Sequence, residues 1–146
     1  MPVVHMTRSI NAPVGRVFDI VTTPSNWTRY VTSLVDVKDL SPDMPKRGAT
    51  FRWEYKMFGV RFKGKGVVTG HVRNKSFGLS LKGKFPIEES YDFIDKGGST
   101  DLTVKIEYAM PGKILSMVPD KLIEKLNSIE ARGVLDKIKT LCEEKS

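Results

Sequence analysis

The chain has 146 residues, of which 40% are hydrophobic and 28% charged, and its 24 basic and 17 acidic residues give a formal charge of +7. This length fits one domain over residues 1–146, and no apolar run approaches the roughly 20 residues of a membrane-spanning helix. Because Cys142, His5 and His71 cannot form a structural zinc site and no secretory signal is visible, we predict a cytoplasmic protein without a metal or another cofactor.

The first third of the chain predicts one strand followed by two short helices. Residues 3–10 alternate as a strand, and Asn11 and Pro13 fit the start of a helix. Thr23 fits the cap of a second helix, before a short strand at residues 34–40. The apolar side of the second helix is formed by Trp27, Tyr30 and Val31.

The middle of the chain alternates between apolar and polar residues with a period of two, which is typical of strands. Gly64, Gly66 and Gly70 fall on the apolar face of one long strand, whereas His71 falls on its opposite, solvated face. Short turns join successive strands and therefore indicate an antiparallel meander. The predicted strands cover residues 51–57, 60–72, 77–81, 87–94 and 102–110.

From Pro111 onward the apolar spacing becomes helical and predicts a long amphipathic helix, with a kink or a new start at Pro119 and Asp120. At about 100° per residue, one apolar side of this helix can be drawn. Its predicted centre is formed by Leu122, Leu126, Ile129 and Gly133, flanked by Ile123, Val134, Ile138 and Leu141.

This order of elements describes an α+β helix-grip fold, in which a curved, seven-stranded antiparallel sheet surrounds a C-terminal helix. Three segments carry a resemblance to a known superfamily: RSINAPVGRVFDIVTTPSNWTRYV (8–31), YDFIDKGGSTDLTVKIEY (91–108) and MPGKILSMV (110–118). The sequence resembles the START-like (SRPBCC) superfamily, and most of all its polyketide cyclase/dehydrase-like branch. The resemblance implies a cavity between sheet and helix that binds lipids, polyketides, quinones or hormones, with catalysis in some members only. No residue set here matches an enzymatic signature of the family.

The alternation of residues along the strands and the helical projection of the C-terminal segment predict which residues face such a cavity. The strand glycines remove side-chain volume, which indicates either space for a ligand or bends in the sheet. Gly133 costs about 1 kcal/mol of helix stability relative to alanine, which close packing or a ligand would offset. The predicted ligand-binding residues are Trp53, Tyr55, Gly66, Phe77, Leu79, Tyr91, Phe93, Val104, Ile106, Tyr108, Leu126, Ile129, Glu130 and Gly133.

Two carboxylates fall on these apolar faces. Glu89 shares the face of Tyr91, and Glu130 lies within the apolar side of the C-terminal helix. A buried carboxylate is costly and its pKa rises, so such a group is usually paired, solvated or functional. Glu89 and Glu130 are therefore weak catalytic candidates, acting with Tyr91 or Tyr108. The alternative is that both reach water, Glu130 at the edge of its stripe and Glu89 near the start of its strand.

We expect a binding or carrier domain for a hydrophobic small molecule, such as a lipid, an isoprenoid or an aromatic polyketide, rather than an enzyme. One alternative is a cyclase, dehydratase or hydrolase that uses a cavity carboxylate and a tyrosine. Another is a basic protein that docks on an anionic membrane or an acidic partner, because the hairpin YKMFGVRFKGKG places Met57, Phe58 and Val60 among cations. The sequence offers no recognition helix for nucleic acid, and we assume a monomer.

Overall fold

The computed structural model describes residues 3–57, 59–83, 86–108 and 120–144. Its helices are α1 (Val14–Thr22), α2 (Trp27–Tyr30) and α3 (Asp120–Glu143), and a 3₁₀ turn covers Pro24–Asn26. Its strands are β1 (Val3–Ile10), β2 (Leu34–Lys38), β3 (Thr50–Met57), β4 (Val60–Val72), β5 (Ser76–Gly83), β6 (Ile87–Asp95) and β7 (Thr100–Tyr108).

The strands form a seven-stranded antiparallel sheet in the order β1-β7-β6-β5-β4-β3-β2. The chain starts at one edge of the sheet, crosses to the other edge through the short helices, and returns strand by strand until β7 pairs with β1. Helix α3 then packs against β1, β7, α1 and α2. The predicted α+β helix-grip fold is confirmed. The predicted segment between β7 and α3 lies outside the described residues.

The short helices remain in place because the segment after α1 satisfies the carbonyl groups at its C-terminal end, which have no partner within the helix. The Trp27 indole N–H and the Tyr30 hydroxyl both donate to the Val21 carbonyl, at 2.9 and 2.8 Å. The predicted capping role of Asn11 is wrong, because Pro13 occupies the N-cap position of α1. Thr23 occupies the N-cap position before the 3₁₀ turn, as predicted, but its side chain makes no capping hydrogen bond. Thr23 instead donates its hydroxyl back to the Asp19 carbonyl.

The concave face of the sheet forms most of the core, and its predicted composition is confirmed. Along β3, β6 and β7 the residues on this face alternate with exposed or half-buried residues, whereas in β5 the intervening Gly78 and Ser80 are also buried. The buried members are Phe51, Trp53, Tyr55, Phe77, Leu79, Leu81, Tyr91, Phe93, Leu102, Val104 and Ile106. Period-two alternation therefore identified the inner face of these four strands.

The predicted face of β4 is wrong beyond Val68, because the register shifts between Val68 and Gly70. A bulge adds one residue to a strand and moves every following side chain to the other face. His71 therefore lies on the concave side, where its ring is 5.2 Å from that of Phe18 and 6.2 Å from that of Phe77. Gly70 correspondingly moves to the outer face, opposite Gly78.

The predicted centre of the apolar side of α3 is also wrong. Leu122 and Ile129 are 46% and 55% exposed. The buried side is instead formed by Ala131, Val134, Leu135, Ile138 and Cys142. At about 100° per residue, Ile129 projects nearly opposite Ala131. The apolar residues of this helix form two separate sides, and small residues such as Ala131 mark the one that packs closely.

Candidate functional site

A small cavity lies on the concave face of the sheet, between strands β3, β5 and β6 and the segment around α2. Its volume is about 10 Å³. A cavity of roughly this size has room for one water molecule. The walls are formed by Trp27, Tyr30, Val31, Leu34, Phe51, Trp53, Tyr55, Leu79, Leu81 and Glu89.

Among the described residues of this wall, Glu89 is the one carboxylate, and the others are apolar or aromatic. Its side chain is 7% exposed, and both of its oxygens accept hydrogen bonds. The Tyr55 hydroxyl donates to Oε1 at 3.2 Å, and the Tyr91 hydroxyl donates to Oε2 at 3.3 Å. The alternative that Glu89 reaches water at the start of its strand is therefore wrong. The carboxylate is placed by β6 and the two hydroxyls by β3 and β6, so rigid strands hold the group.

Burial and a neighbouring charge change the acidity of this group. Desolvation, followed by the negative charge of Glu130, raises the pKa of Glu89 from 4.5 to about 7, although the hydrogen bonds from the tyrosines oppose the rise. Desolvation likewise raises the pKa of Tyr30 and Tyr91 well above 10.0, and the charge of Glu89 adds to both shifts. Near neutral pH the Glu89 carboxyl group can therefore either donate or accept a proton, whereas the tyrosines stay protonated.

The strand glycines do not leave space for a ligand, so this interpretation of Gly66 is wrong. A β-carbon on residue 66 would lie 2.3 Å from Phe51 Cζ, and one on residue 64 would lie 2.5 Å from Trp53 Cζ2. The two aromatic residues are direct cross-strand partners of these glycines. Aromatic rings from β3 thus cover the backbone of β4 at these two glycines. The rings fill the space that side chains at these positions would occupy.

Three of the predicted ligand-binding residues border the cavity, namely Trp53, Tyr55 and Leu79, together with the catalytic candidate Glu89. Phe77, Tyr91, Phe93, Val104 and Ile106 are buried in the core but are not part of this cavity wall. Tyr91 still contributes through its bond to Glu89, whereas Phe93 packs on Phe18 of α1, with ring centroids 5.1 Å apart.

The residues of helix α3 contribute to the site in a different way from the one predicted from the sequence. Glu130 is half-buried and close enough for its charge to raise the pKa of Glu89. Among the described residues, no atom lies within 4 Å of the position that a β-carbon on Gly133 would take. Ile129 is exposed, as described above, and does not border the cavity. The side chains of Tyr108 and Leu126, like Phe58 of the predicted membrane-docking hairpin, lie outside the described part of the chain.

Sequence reasoning missed the wall that the short helices provide. Trp27, Tyr30 and Val31 come from α2 and the residue after it, and Leu34 begins β2. The available signal was their spacing at i, i+3 and i+4 beside an aromatic strand face, which marks one side of a helix. That signal was used to predict the helix but not to assign its apolar side to the cavity.

No helix among residues 3–57, 59–83, 86–108 and 120–144 is both long and apolar enough to cross a membrane. Within the same ranges, no group of three or more His, Cys, Asp or Glu side chains is placed to hold a metal ion.

Comparison with known proteins gives a family and a set of similar folds. The family model described as "Polyketide cyclase / dehydrase and lipid transport" matches residues 1–143. No curated protein matches the chain.

Solved structures share the fold at low sequence identity. The protein TTHA0849 from Thermus thermophilus has a TM-score of 0.80 at 19% identity, with 95% of each chain covered. A START superfamily protein from Mycobacterium smegmatis has a TM-score of 0.77 at 17% identity, with 97% of each chain covered. The di-domain ARO/CYC BexL from the BE-7585A biosynthetic pathway has a TM-score of 0.71 at 16% identity, over 99% of this chain and 52% of that one. These likenesses show that the fold is shared.

Proposed function

We propose that this chain, which belongs to the polyketide cyclase / dehydrase and lipid transport family, binds an uncharged apolar small molecule against the concave face of its sheet. A hydroxyl or carbonyl group of that molecule would hydrogen-bond to Glu89. The observation that carries this proposal is a buried carboxylate, bonded to two tyrosine hydroxyls, in a wall that is otherwise apolar and aromatic. Sites for small molecules commonly combine apolar walls with a few polar groups that fix orientation.

The charges around the cavity favour an uncharged ligand. Glu89 and Glu130 are close enough for their charges to interact. A carboxylate or phosphate on the ligand would meet this negative potential in a low-dielectric interior, where like charges repel strongly. A neutral hydroxyl can donate to ionised Glu89, and a carbonyl can accept from its protonated form.

The ligand must widen the cavity, because about 10 Å³ accommodates no more than a water molecule. Burying roughly 300 Å² of apolar ligand surface at about 25 cal/mol per Å² contributes roughly 7 kcal/mol before the costs of association. Moving the side chains of the wall apart costs free energy, and this cost offsets part of that gain.

Native mass spectrometry of freshly purified protein tests this proposal directly. We expect a population heavier than the bare chain by the mass of one uncharged, lipid-like or polyketide-like compound, which organic solvent then extracts. A charged adduct such as a nucleotide would contradict the proposal. So would the bare mass alone, if added dodecanol also failed to raise the melting temperature.

A second candidate function is acid–base catalysis on the bound molecule, and the pKa of Glu89 favours it. A carboxyl group with a pKa of about 7 is suited to exchange protons at neutral pH. Glu89→Gln keeps the size and the acceptor oxygen but removes the exchangeable acid. If the protein is an enzyme, this variant loses turnover and keeps its affinity for the ligand. Loss of affinity without any turnover in the original protein assigns Glu89 to binding alone.

A further inference from the structure

A row of four cations crosses the outer face of the sheet. Lys38, Arg52, Lys65 and Lys82 are direct cross-strand neighbours on β2, β3, β4 and β5, and all four are exposed. At about 4.8 Å between strands, the row is roughly 14 Å long. Like charges directly opposite each other destabilise a sheet. We call these four residues the cationic row.

Acidic neighbours neutralise only part of this charge. Asp39 lies 3.5 Å from Arg52, and Glu54 in the adjacent row pairs with Arg61 at 2.6 Å and Lys63 at 3.4 Å. In the part of the chain that the structure describes, Lys38, Lys65 and Lys82 take part in no ion pair within 4.0 Å. The three lysines are thus free to meet an anionic partner.

Two depressions lie beside the cationic row, and the backbones of Gly66 and Gly64 of β4 border one each. One of about 490 Å³ is bordered by Arg52, Lys65, Lys82 and also by Asp39. The other, of about 400 Å³, is bordered by Lys38, Arg52, Lys63 and Lys65, with Asp36 and Glu54 on its rim. Both have room for a phosphate-sized group between cations.

Positive charge is concentrated on the β2–β5 half of the outer face. On β6 and β7 the outward residues are mainly acidic, and Lys105 is a cation among them. These acidic residues are Glu88, Asp92, Asp101 and Glu107. An anionic surface would therefore orient the molecule with β2–β5 toward it and β6–β7 away from it.

We propose that the cationic row and its two depressions dock the protein on the surface of a membrane that contains anionic phospholipids. A bilayer presents a plane of mobile phosphate and carboxylate groups, which matches a broad, cationic sheet face. Nucleic acid fits less well, because the described outward side chains of β2–β5 include no aromatic residue on which bases could stack. This inference does not depend on the ligand that the inner cavity takes.

Two triple variants with equal net charge test the proposal. Lys38→Ser, Lys65→Ser and Lys82→Ser together remove the unpaired cations of the row. Lys75→Ser, Lys105→Ser and Lys121→Ser remove three exposed lysines elsewhere, so both variants lower the formal charge of +7 equally. Sedimentation uses phosphatidylcholine vesicles containing about one-fifth phosphatidylserine, and neutral phosphatidylcholine vesicles serve as the blank.

We expect the row variant to bind the anionic vesicles on the order of 100-fold more weakly than the original protein, and the control variant to stay within a few-fold. Binding of the original protein should fall as salt rises. Equal losses in both variants would overturn the proposal, as would binding to polyuridine RNA without any association with the vesicles. If the row variant fails to fold, Lys65→Ser against Lys75→Ser gives the same comparison. Glu89→Gln should leave vesicle binding unchanged, which separates this test from that of ligand binding.

Discussion

Glu89 places its carboxylate between the hydroxyls of Tyr55 and Tyr91, and the charge of Glu130 contributes to its raised pKa. The charge of Glu89 also contributes to the raised pKa of Tyr30. Burial of this group makes its ionised form costly, so the site couples protein stability to pH. The same property would make the group selective for uncharged ligands.

The Glu89 carboxyl group makes the protein less stable as pH rises. Its pKa is about 7 in the folded state and near 4.5 when unfolded. Between these values the folded state keeps a proton that the unfolded state has lost. The contribution of Glu89 is therefore fully present below pH 4.5 and is lost as pH rises to about 7. This corresponds to roughly 3 kcal/mol of unfolding free energy.

We expect Glu89→Gln to remove this decline of the unfolding free energy with rising pH. At pH 8 the variant should gain up to about 3 kcal/mol of unfolding free energy over the original protein, with little difference near pH 4.5. Urea unfolding of both proteins across this range measures it. Parallel stability curves would show that Glu89 ionises freely in the folded state.

Gly66 and Gly133 are a matched pair with opposite expected effects. In Gly66→Ala the new methyl group would lie 2.3 Å from Phe51 Cζ, so overpacking should cost about 1–3 kcal/mol. In Gly133→Ala it would meet no atom of the described residues within 4 Å, so higher helix propensity should stabilise by roughly 1 kcal/mol. Chemical denaturation of both variants compares these effects. Adding Phe51→Leu to Gly66→Ala should recover part of the loss. Equal stability of the two alanine variants would contradict this account of the glycines.

At the scale of elements, the C-terminal half of α3 packs on the rest of the protein. Leu135 and Ile138 are fully buried there, and Arg16 of α1 donates to the carbonyl groups of Cys142 and Glu144 at 2.7 and 3.0 Å. These bonds satisfy carbonyl groups at the end of α3 that have no partner within the helix. The helix is thus held at one end while its earlier turns carry exposed apolar residues.

Leu135→Ala and Ile129→Ala test which side of α3 packs on the protein. We expect Leu135→Ala to cost about 2–5 kcal/mol through lost burial and the cavity that remains. Ile129→Ala should cost less than about 1 kcal/mol, because its side chain is 55% exposed. Thermal unfolding of both variants provides the measurement. A larger loss for Ile129→Ala would restore the apolar side first predicted from the sequence.

The periodicity of apolar residues predicted the helices and strands well, but it did not predict which face of β4 and of α3 is buried. Alternation placed Trp53, Tyr55, Glu89 and Tyr91 inward correctly because their strands keep one register. It failed for His71, since a single-residue bulge cannot be read from composition. It failed for α3 because apolar residues nearly surround the helix, and only tertiary contacts decide which side is buried.

The candidate site was less predictable than the fold, for a physical reason. Its walls come from segments that are far apart in the sequence. The alternation within one strand shows which of its side chains point inward, but it does not show which other segment they contact. Glu89 was selected because a carboxylate on an apolar face is unusual. Its partner Tyr55 and the wall residue Trp27 depend on how β3, β6 and α2 meet in space.

At the scale of the whole molecule, the sheet separates two chemistries. Its concave face is apolar and holds one buried carboxylate, whereas its outer face is cationic along β2–β5 and largely acidic along β6 and β7. The two proposals use opposite faces of the same strands. Ligand binding inside and docking outside can therefore be altered by separate substitutions.

Tryptophan fluorescence during titration with dodecanol and, separately, with dodecanoate at pH 8 tests the central claim most directly. The chain has two tryptophans, Trp27 and Trp53, and both border the cavity. We predict a saturable change with dodecanol at micromolar concentrations, and at least roughly tenfold weaker binding of dodecanoate because Glu89 repels its charge. Equal affinity for the two probes, or no response to either, would contradict a cavity that binds uncharged apolar ligands at Glu89.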